Sequence, residues 1–173
     1  MRLVEPQKID ENKFNDFIND FKAAEEDLVP YSLNQKDMIF KDYIRSLNDE
    51  SSGKNIPENR VPASTYFLLD DEERICGAVN IRHRLTDSLR IEGGHVGYGI
   101  RPGARNRGYG TRILGLALDK AGEIGIKRVL LTCNKHNIYS AKIMENNGGK
   151  LDSEIKKGNK TVLRYWIKIA ADQ

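Results

Sequence analysis

The sequence predicts an α/β fold of the α+β kind, in which helices flank a mixed, mostly antiparallel sheet. Apolar residues recur at helical spacing in the first fifty residues. Short β-rich segments joined by turn sequences follow, and they indicate antiparallel hairpins. A strand, a glycine-rich turn, a helix and a strongly apolar strand then come in succession, which indicates that the two strands are parallel and joined by a helical crossover.

Length and composition limit the classes of protein to consider. The chain has 173 residues and 39% hydrophobic content, so we predict one domain over residues 1–173. No apolar run approaches the roughly 20 residues of a membrane span, and Met1–Pro6 does not resemble a signal peptide. We therefore expect a cytoplasmic protein without a membrane partner, and we leave a homodimer open. Net charge is +3, from 28 basic and 25 acidic residues, which is too balanced to indicate nucleic acid binding.

The first half of the chain predicts a short strand, two helices and a hairpin. Asp10–Lys13 is typical of a helix start, and Phe14, Phe17, Ile18 and Phe21 then recur on one helical face. The other predicted elements are a strand at 2–6, a helix at 35–47, a loop at 48–62, and strands at 65–69, 75–81 and 87–92.

The second half predicts the crossover and a final hairpin. A strand at 95–100 leads through the glycine-rich turn into a helix that ends near Ile124, before Gly125. The later predicted elements are a central strand at 128–133, a helix at 138–146 with Asn137 as its N-cap, and a hairpin of 151–155 with 162–169. Cys76 and Cys133 fall inside predicted strands, so we expect buried free thiols.

The glycine-rich turn from Ile100 to Thr111 predicts a pyrophosphate-binding loop. Backbone N–H groups at a helix start converge on one point, at the positive end of the helix dipole. Gly108 and Gly110 leave room for an anion to approach the backbone, and Arg105 and Arg107 add positive charge suited to phosphate. The simpler alternative is a turn with solvated arginines.

Two common phosphate-binding patterns do not fit this turn. Gly103 and Gly108 have the spacing of an NTPase loop, but Tyr109 and Gly110 stand where Lys and Ser or Thr are required. The dinucleotide fingerprint needs a third glycine at position 113, which is Ile113.

The pattern that fits is Arg105-x-x-Gly108-x-Gly110, preceded by Gly97-Tyr98-Gly99-Ile100-x-Pro102. It resembles motif A (Arg/Gln-x-x-Gly-x-Gly/Ala) of the GNAT superfamily of acyl-CoA-dependent N-acetyltransferases. Asn134-x-x-Asn137-x-x-Ser140 is similar to the segment that leads into the family's last helix and contacts the CoA arm. For Asn137, simple helix capping is the alternative.

The resemblance implies a GNAT-type sheet with a splayed parallel strand pair, and acetyl-CoA as co-substrate with no metal. His83 and His136 likewise have no partner at metal-ligand spacing. The cofactor-binding residues that the resemblance implies are Ile100, Arg105, Asn106, Arg107, Gly108, Tyr109, Gly110, Thr111, Asn137 and Ser140.

Acetyl transfer to an amine needs a proton acceptor and an N–H donor for the developing oxyanion. Gly97 and Gly99 are compatible with a strand bulge that would free such a donor, and the equally simple alternative is that they only relieve crowding. His95 is the first candidate base and Glu92 the second, although His95 could also be a surface residue at the strand start. The family's acidic Tyr corresponds to Met144 here, and Tyr139 lies more than a turn away, so we expect no essential acid in this helix.

We therefore predict an enzyme that transfers an acetyl group from acetyl-CoA to a primary amine of a small molecule or protein. The alternative is a catalytically silent CoA-binding regulatory module. The sequence does not identify the acceptor.

Overall fold

The computed structural model describes residues 1–169, so the last four residues of the predicted domain lie outside the described part. Within it, helices and strands alternate largely as the sequence predicts. The elements are β1 (Arg2–Val4), α1 (Glu11–Ala23), α2 (Phe40–Ser51), β2 (Ala63–Leu69), β3 (Ile75–Arg82), α3 (Asp87–Ile91), β4 (Val96–Ile100), α4 (Tyr109–Glu123), β5 (Arg128–Asn134), α5 (Ile138–Asn146), β6 (Lys150–Lys157) and β7 (Lys160–Lys168). No helix within residues 1–169 is both long and apolar enough to cross a membrane.

The strands form two antiparallel sheets, with the orders β1-β2-β3-β4 and β5-β7-β6. In the described chain, no ladder joins β4 to β5. A single backbone hydrogen bond links them near the start of β4, where the His95 N–H donates to the Leu130 carbonyl at 2.7 Å. Beyond it, β4 and β5 are the splayed parallel pair that the resemblance implies.

Two hydrophobic clusters hold the helices on the sheet. The first contains the predicted face of α1 together with Tyr43 of α2 and Phe67 of β2, and all of these aromatic rings are buried. The second packs Ile113 and Leu114 of α4 against residues of β3, β4, β5 and β7. Because α4 is anchored along its apolar face, its N-terminus is fixed at the end of β4.

Two helix boundaries differ from the prediction because of local turns. Helix α2 begins at Phe40 rather than at residue 35, since Lys36 has a φ of +53° and its N–H donates to the Asn34 side chain. It continues to Ser51 instead of 47, and Gly53 follows with a φ of +71°. A left-handed glycine directly after a helix is a common termination signal.

The predicted strand at 87–92 is wrong. These residues form the short helix α3, whose N-cap is Thr86. The Thr86 hydroxyl accepts a hydrogen bond from the Leu89 N–H at 3.3 Å. The Thr-Asp-Ser sequence at 86–88 is therefore a helix start, and the capping preference of threonine explains it.

Candidate active site

The loop between β4 and α4 exposes an unbroken run of backbone donors. Each N–H from Asn106 to Thr111 has no acceptor within residues 1–169, and the first α4 bond runs from the Arg112 N–H to the Gly108 carbonyl. Asn106 and Gly108 have left-handed φ angles of +61° and +76°. Such alternation turns consecutive N–H groups toward one side and forms an anion-binding concavity. The loop geometry therefore fits a pyrophosphate.

The two glycines of this loop have different roles. A Cβ on Gly108 would meet no atom within 4 Å, so its positive φ and the open space beside it explain the glycine. A Cβ on Gly110 would lie 2.5 Å from Ile143 Cδ1 of α5. Gly110 therefore makes room for helix α5, and its contact with an anion through the backbone stays a prediction.

The arginines of the loop are also not equivalent. Arg105 forms a two-pronged ion pair with Glu26, with N–O distances of 2.8 and 2.5 Å, and its Nε donates to the Ile100 carbonyl. The pKa of Glu26 is lowered because Arg105 hydrogen-bonds to its carboxylate. Arg107 is exposed and has no ion pair in the described chain. Arg107 therefore provides an uncompensated charge beside the free amides, as does the exposed Arg112 in the first turn of α4.

Strand β4 offers donors without the predicted bulge. Its register with β3 is continuous from Val96 to Ile100, so the bulge prediction is wrong. β4 is instead the edge strand of its sheet. At one end of the β3–β4 pair the Arg82 N–H donates to the His95 carbonyl, and at the other end the Arg101 N–H donates to the Cys76 carbonyl. Between these ends, the N–H groups of successive β4 residues point alternately toward β3 and away from it. By that alternation the Tyr98 N–H points away from β3, into the gap beside β5.

Tyr98 and Ser140 meet across this gap. Their hydroxyl oxygens lie 3.1 Å apart, which links β4 to the first turn of α5. Burial raises the pKa of Tyr98 to about 12, so the phenol is protonated at neutral pH. The Asn137 side chain accepts from the Ser140 N–H at 3.0 Å and caps α5 as predicted. The second motif therefore borders the same gap as β4.

The connection between α1 and α2 lies on one face of β4. A Cβ on Gly99 would clash with the Val29 carbonyl oxygen, and one on Gly97 would sit 3.6 Å from Pro30 Cβ. These glycines therefore make room for the connection, which covers the face of β4 opposite α4.

The two candidate bases are both engaged. His95 is 8% exposed, and its Nδ1 accepts a hydrogen bond from the Leu130 N–H at 2.9 Å. Burial, with the nearby charges of Arg90 and Arg82, lowers the pKa of His95 to about 4. A neutral ring whose Nδ1 accepts must carry its hydrogen on Nε2, which leaves no lone pair for an amine proton. Glu92 forms an ion pair with Lys157 at 2.6 Å. Catalysis by either residue stays a prediction, and this geometry argues against His95.

The α5 position that corresponds to the family's acid, and the nearby Tyr139, have different surroundings. Met144 is buried with 1% exposure, whereas Tyr139 is 73% exposed on the first turn. The two cysteines are free and buried, as predicted.

Sequence reasoning missed two features of this region. The Glu26–Arg105 ion pair joins residues that are far apart in sequence, and the sequence shows the two charges but not their contact. The Tyr98–Ser140 contact joins two motifs that had been interpreted separately.

Comparison with known protein families identifies the class of protein that this loop and sheet define. Residues 2–150 match the family model described as "Acetyltransferase (GNAT) domain", and the chain belongs to that family. No curated protein has a significantly similar sequence.

Solved structures agree with the fold. An acetyltransferase of the GNAT family from Streptococcus pneumoniae is 18% identical, with 98% of both chains covered and a TM-score of 0.65. A ribosomal-protein-S5-alanine acetyltransferase from Vibrio fischeri is 15% identical, covering 97% of this chain and 91% of that one, with a TM-score of 0.68. A dodecameric spermidine N-acetyltransferase from Vibrio cholerae is 14% identical, covering 96% and 91%, with a TM-score of 0.61. At these identities the similarity is one of fold.

Proposed function

We propose that this protein transfers an acetyl group from acetyl-CoA to a primary amine of a small molecule or protein. The observation that carries the proposal is the run of free N–H groups from Asn106 to Thr111 at the start of α4. Acetyl-CoA supplies an activated acetyl group as a thioester, and a pyrophosphate is the anion that such a run of donors suits.

The residues proposed to hold the cofactor divide between the loop and the gap. The backbone of residues 106–111 holds the pyrophosphate, and the exposed Arg107 side chain adds charge to it. Ile100 at the end of β4, together with Asn137 and Ser140 at the start of α5, borders the gap proposed for the cofactor arm. Arg105 has a positioning role in this proposal, because Glu26 already neutralises its charge.

β4 provides the proposed oxyanion donor. The Tyr98 N–H points into the gap, where a hydrogen bond to a carbonyl oxygen would strengthen as negative charge develops on that oxygen. The protonated Tyr98 phenol and the Ser140 hydroxyl lie beside the same gap and can donate hydrogen bonds to a leaving thiolate. The thiolate leaves unprotonated or takes its proton from water, since thiols of this kind have pKa values near 8.5.

The candidates for the acceptor come from the names of structurally similar enzymes. The solved structures described above include enzymes whose names specify spermidine and a protein alanine, so both a small polyamine and a peptide amine belong among the candidates.

The silent CoA-binding module remains the second candidate function, and a specific observation favours it. Both predicted bases are engaged, His95 by the Leu130 amide and Glu92 by Lys157. One assay separates the two functions: CoA thiol release is followed with acetyl-CoA and a panel of polyamines, amino acids, aminoglycosides and peptides, beside calorimetric binding of CoA. Amine-dependent release supports the enzyme, and binding without release supports the module. Absence of CoA binding would overturn both.

A further inference from the structure

A carboxylate is buried near the connection that covers β4, and it lacks a full set of hydrogen-bond partners. Glu50, in the last turn of α2, is 6% exposed. Arg60 Nη2 lies 2.5 Å from its Oε1, yet the pair lacks hydrogen-bond geometry, and Oε1 makes no hydrogen bond within residues 1–169. The Ser32 hydroxyl is likewise buried without a partner in that part of the chain. Unsatisfied buried polar atoms are costly, so Glu50 Oε1 is an acceptor that the donor of a ligand would stabilise.

Tyr43 joins these two groups into one cluster. Its hydroxyl donates to the Ser32 carbonyl at 2.9 Å, and its pKa is raised by burial first and by the nearby Glu50 charge second. Burial also raises the pKa of Glu50, while Arg60 and Arg82 oppose that rise.

The two arginines near Glu50 differ in how firmly they are held. Arg82 Nη1 donates to the carbonyls of Gly93 and Gly94, both at 3.1 Å, so this guanidinium is held in place by the turn before β4. Arg60 belongs to the connection between α2 and β2, is 43% exposed, and stacks over the Tyr31 ring at 5.9 Å. Arg60 is therefore the cation that another cation can replace.

The cluster borders the strand on which acetyl transfer is proposed. Residues 29 and 30 lie on Gly99 and Gly97, and the next residue, Tyr31, lies under Arg60. Arg82 approaches the same strand from its other end, through the turn before His95. Glu50 thus lies on the side of β4 that the connection between α1 and α2 covers, opposite α4.

We propose that Glu50 binds the ammonium group of a small alkylamine acceptor, and that the Arg60 guanidinium occupies this position until the acceptor displaces it. The inference rests on the proposed function. An ammonium carries three donors on one compact charge, which can hydrogen-bond to Glu50 Oε1 in a geometry that the planar guanidinium of Arg60 does not reach.

The test measures thermal unfolding of the full chain with 1,4-diaminobutane at constant ionic strength, with 1,4-butanediol as the uncharged comparison. In Arg60→Gln the diamine should raise the Tm by at least about twice the wild-type shift, because its competitor is gone. In Glu50→Gln the shift should vanish. Arg45→Gln is the matched control, since it breaks an exposed Arg45–Asp42 pair on the same helix and should respond like the wild type.

Equal shifts in the wild type, Arg60→Gln and Glu50→Gln would overturn the proposal, and so would a diol effect equal to that of the diamine. If Glu50→Gln does not fold, Arg60→Gln decides alone: a shift no larger than in the wild type refutes displacement. The same thermal assay with CoA reports on the proposed function separately, because these substitutions leave residues 106–111 unchanged.

Discussion

Replacing Gly108 by alanine should weaken CoA binding far more than it weakens the fold. Gly108 has a φ of +76°, and a Cβ at this position would lie in open space, so alanine costs only backbone strain. That strain is about 1–2 kcal/mol, and the stiffer unfolded chain offsets about 0.4–1 kcal/mol of it. The net loss, on the order of 1 kcal/mol, corresponds to a Tm lower by about 2–4 °C.

The binding effect follows from the amides on either side of Gly108. Alanine relieves this strain by leaving the left-handed region, and the N–H groups of the loop then no longer converge. A hydrogen bond to a charged oxygen contributes about 1.5–3 kcal/mol, so the loss of one raises the Kd for CoA by about tenfold to a hundredfold. Isothermal titration calorimetry with CoA measures this directly.

Gly125→Ala provides the matched control. Gly125 follows α4 at its other end with a φ of +84°, and a Cβ there would also meet nothing within 4 Å. Both variants should lose similar stability, but only Gly108→Ala should lose affinity. An unchanged Kd in a folded Gly108→Ala protein would refute the assignment of this loop to the cofactor.

Further predictions concern the residues around the loop and the gap. Arg107→Gln should weaken CoA binding several-fold, and the difference from the wild type should shrink as salt rises, as calorimetry at two salt concentrations can verify. His95→Asn keeps an acceptor oxygen near the Nδ1 position and should retain turnover; a fall of roughly a hundredfold in kcat would restore His95 as the base. Because the pKa of His95 is lowered from 6.5 to about 4, the unfolded state binds more protons between these values. The stabilising contribution of the neutral His95 is fully present above pH 6.5. As pH falls from 6.5 to 4, the wild type should therefore lose up to about 3 kcal/mol of unfolding free energy relative to His95→Asn. Urea titrations at several pH values would measure this difference. Tyr139→Phe should keep most of its activity, and a roughly hundredfold lower kcat would show that Tyr139 acts as the acid.

Local sequence signals predicted the fold and the loop well. The aromatic spacing in α1 indicated the correct buried face, and Asp10 caps that helix as its position suggested. The glycine and arginine pattern located the run of free amides, because helix starts and left-handed glycines are determined by neighbouring residues.

The errors arose where distant residues determine the outcome. The contact between Gly110 and Ile143 was not predicted, and the free N–H groups of β4 are explained by the departure of β5 rather than by a bulge. His95 looked like a titrating surface residue because nothing near it in sequence indicates the Leu130 amide that occupies Nδ1. Such tertiary contacts have no local sequence signal.

The Glu26–Arg105 pair has a thermodynamic consequence. It ties the connection between α1 and α2 to the loop before α4, while the Val29 carbonyl of the same connection rests on Gly99. A ligand that shifts Arg105 also shifts the segment that covers β4, so the free energies of binding at the two positions are linked. Thermodynamic linkage is reciprocal: if CoA changes the affinity for the acceptor by some factor, the acceptor changes the affinity for CoA by the same factor. Glu26→Gln would bring that shared factor closer to one in both directions.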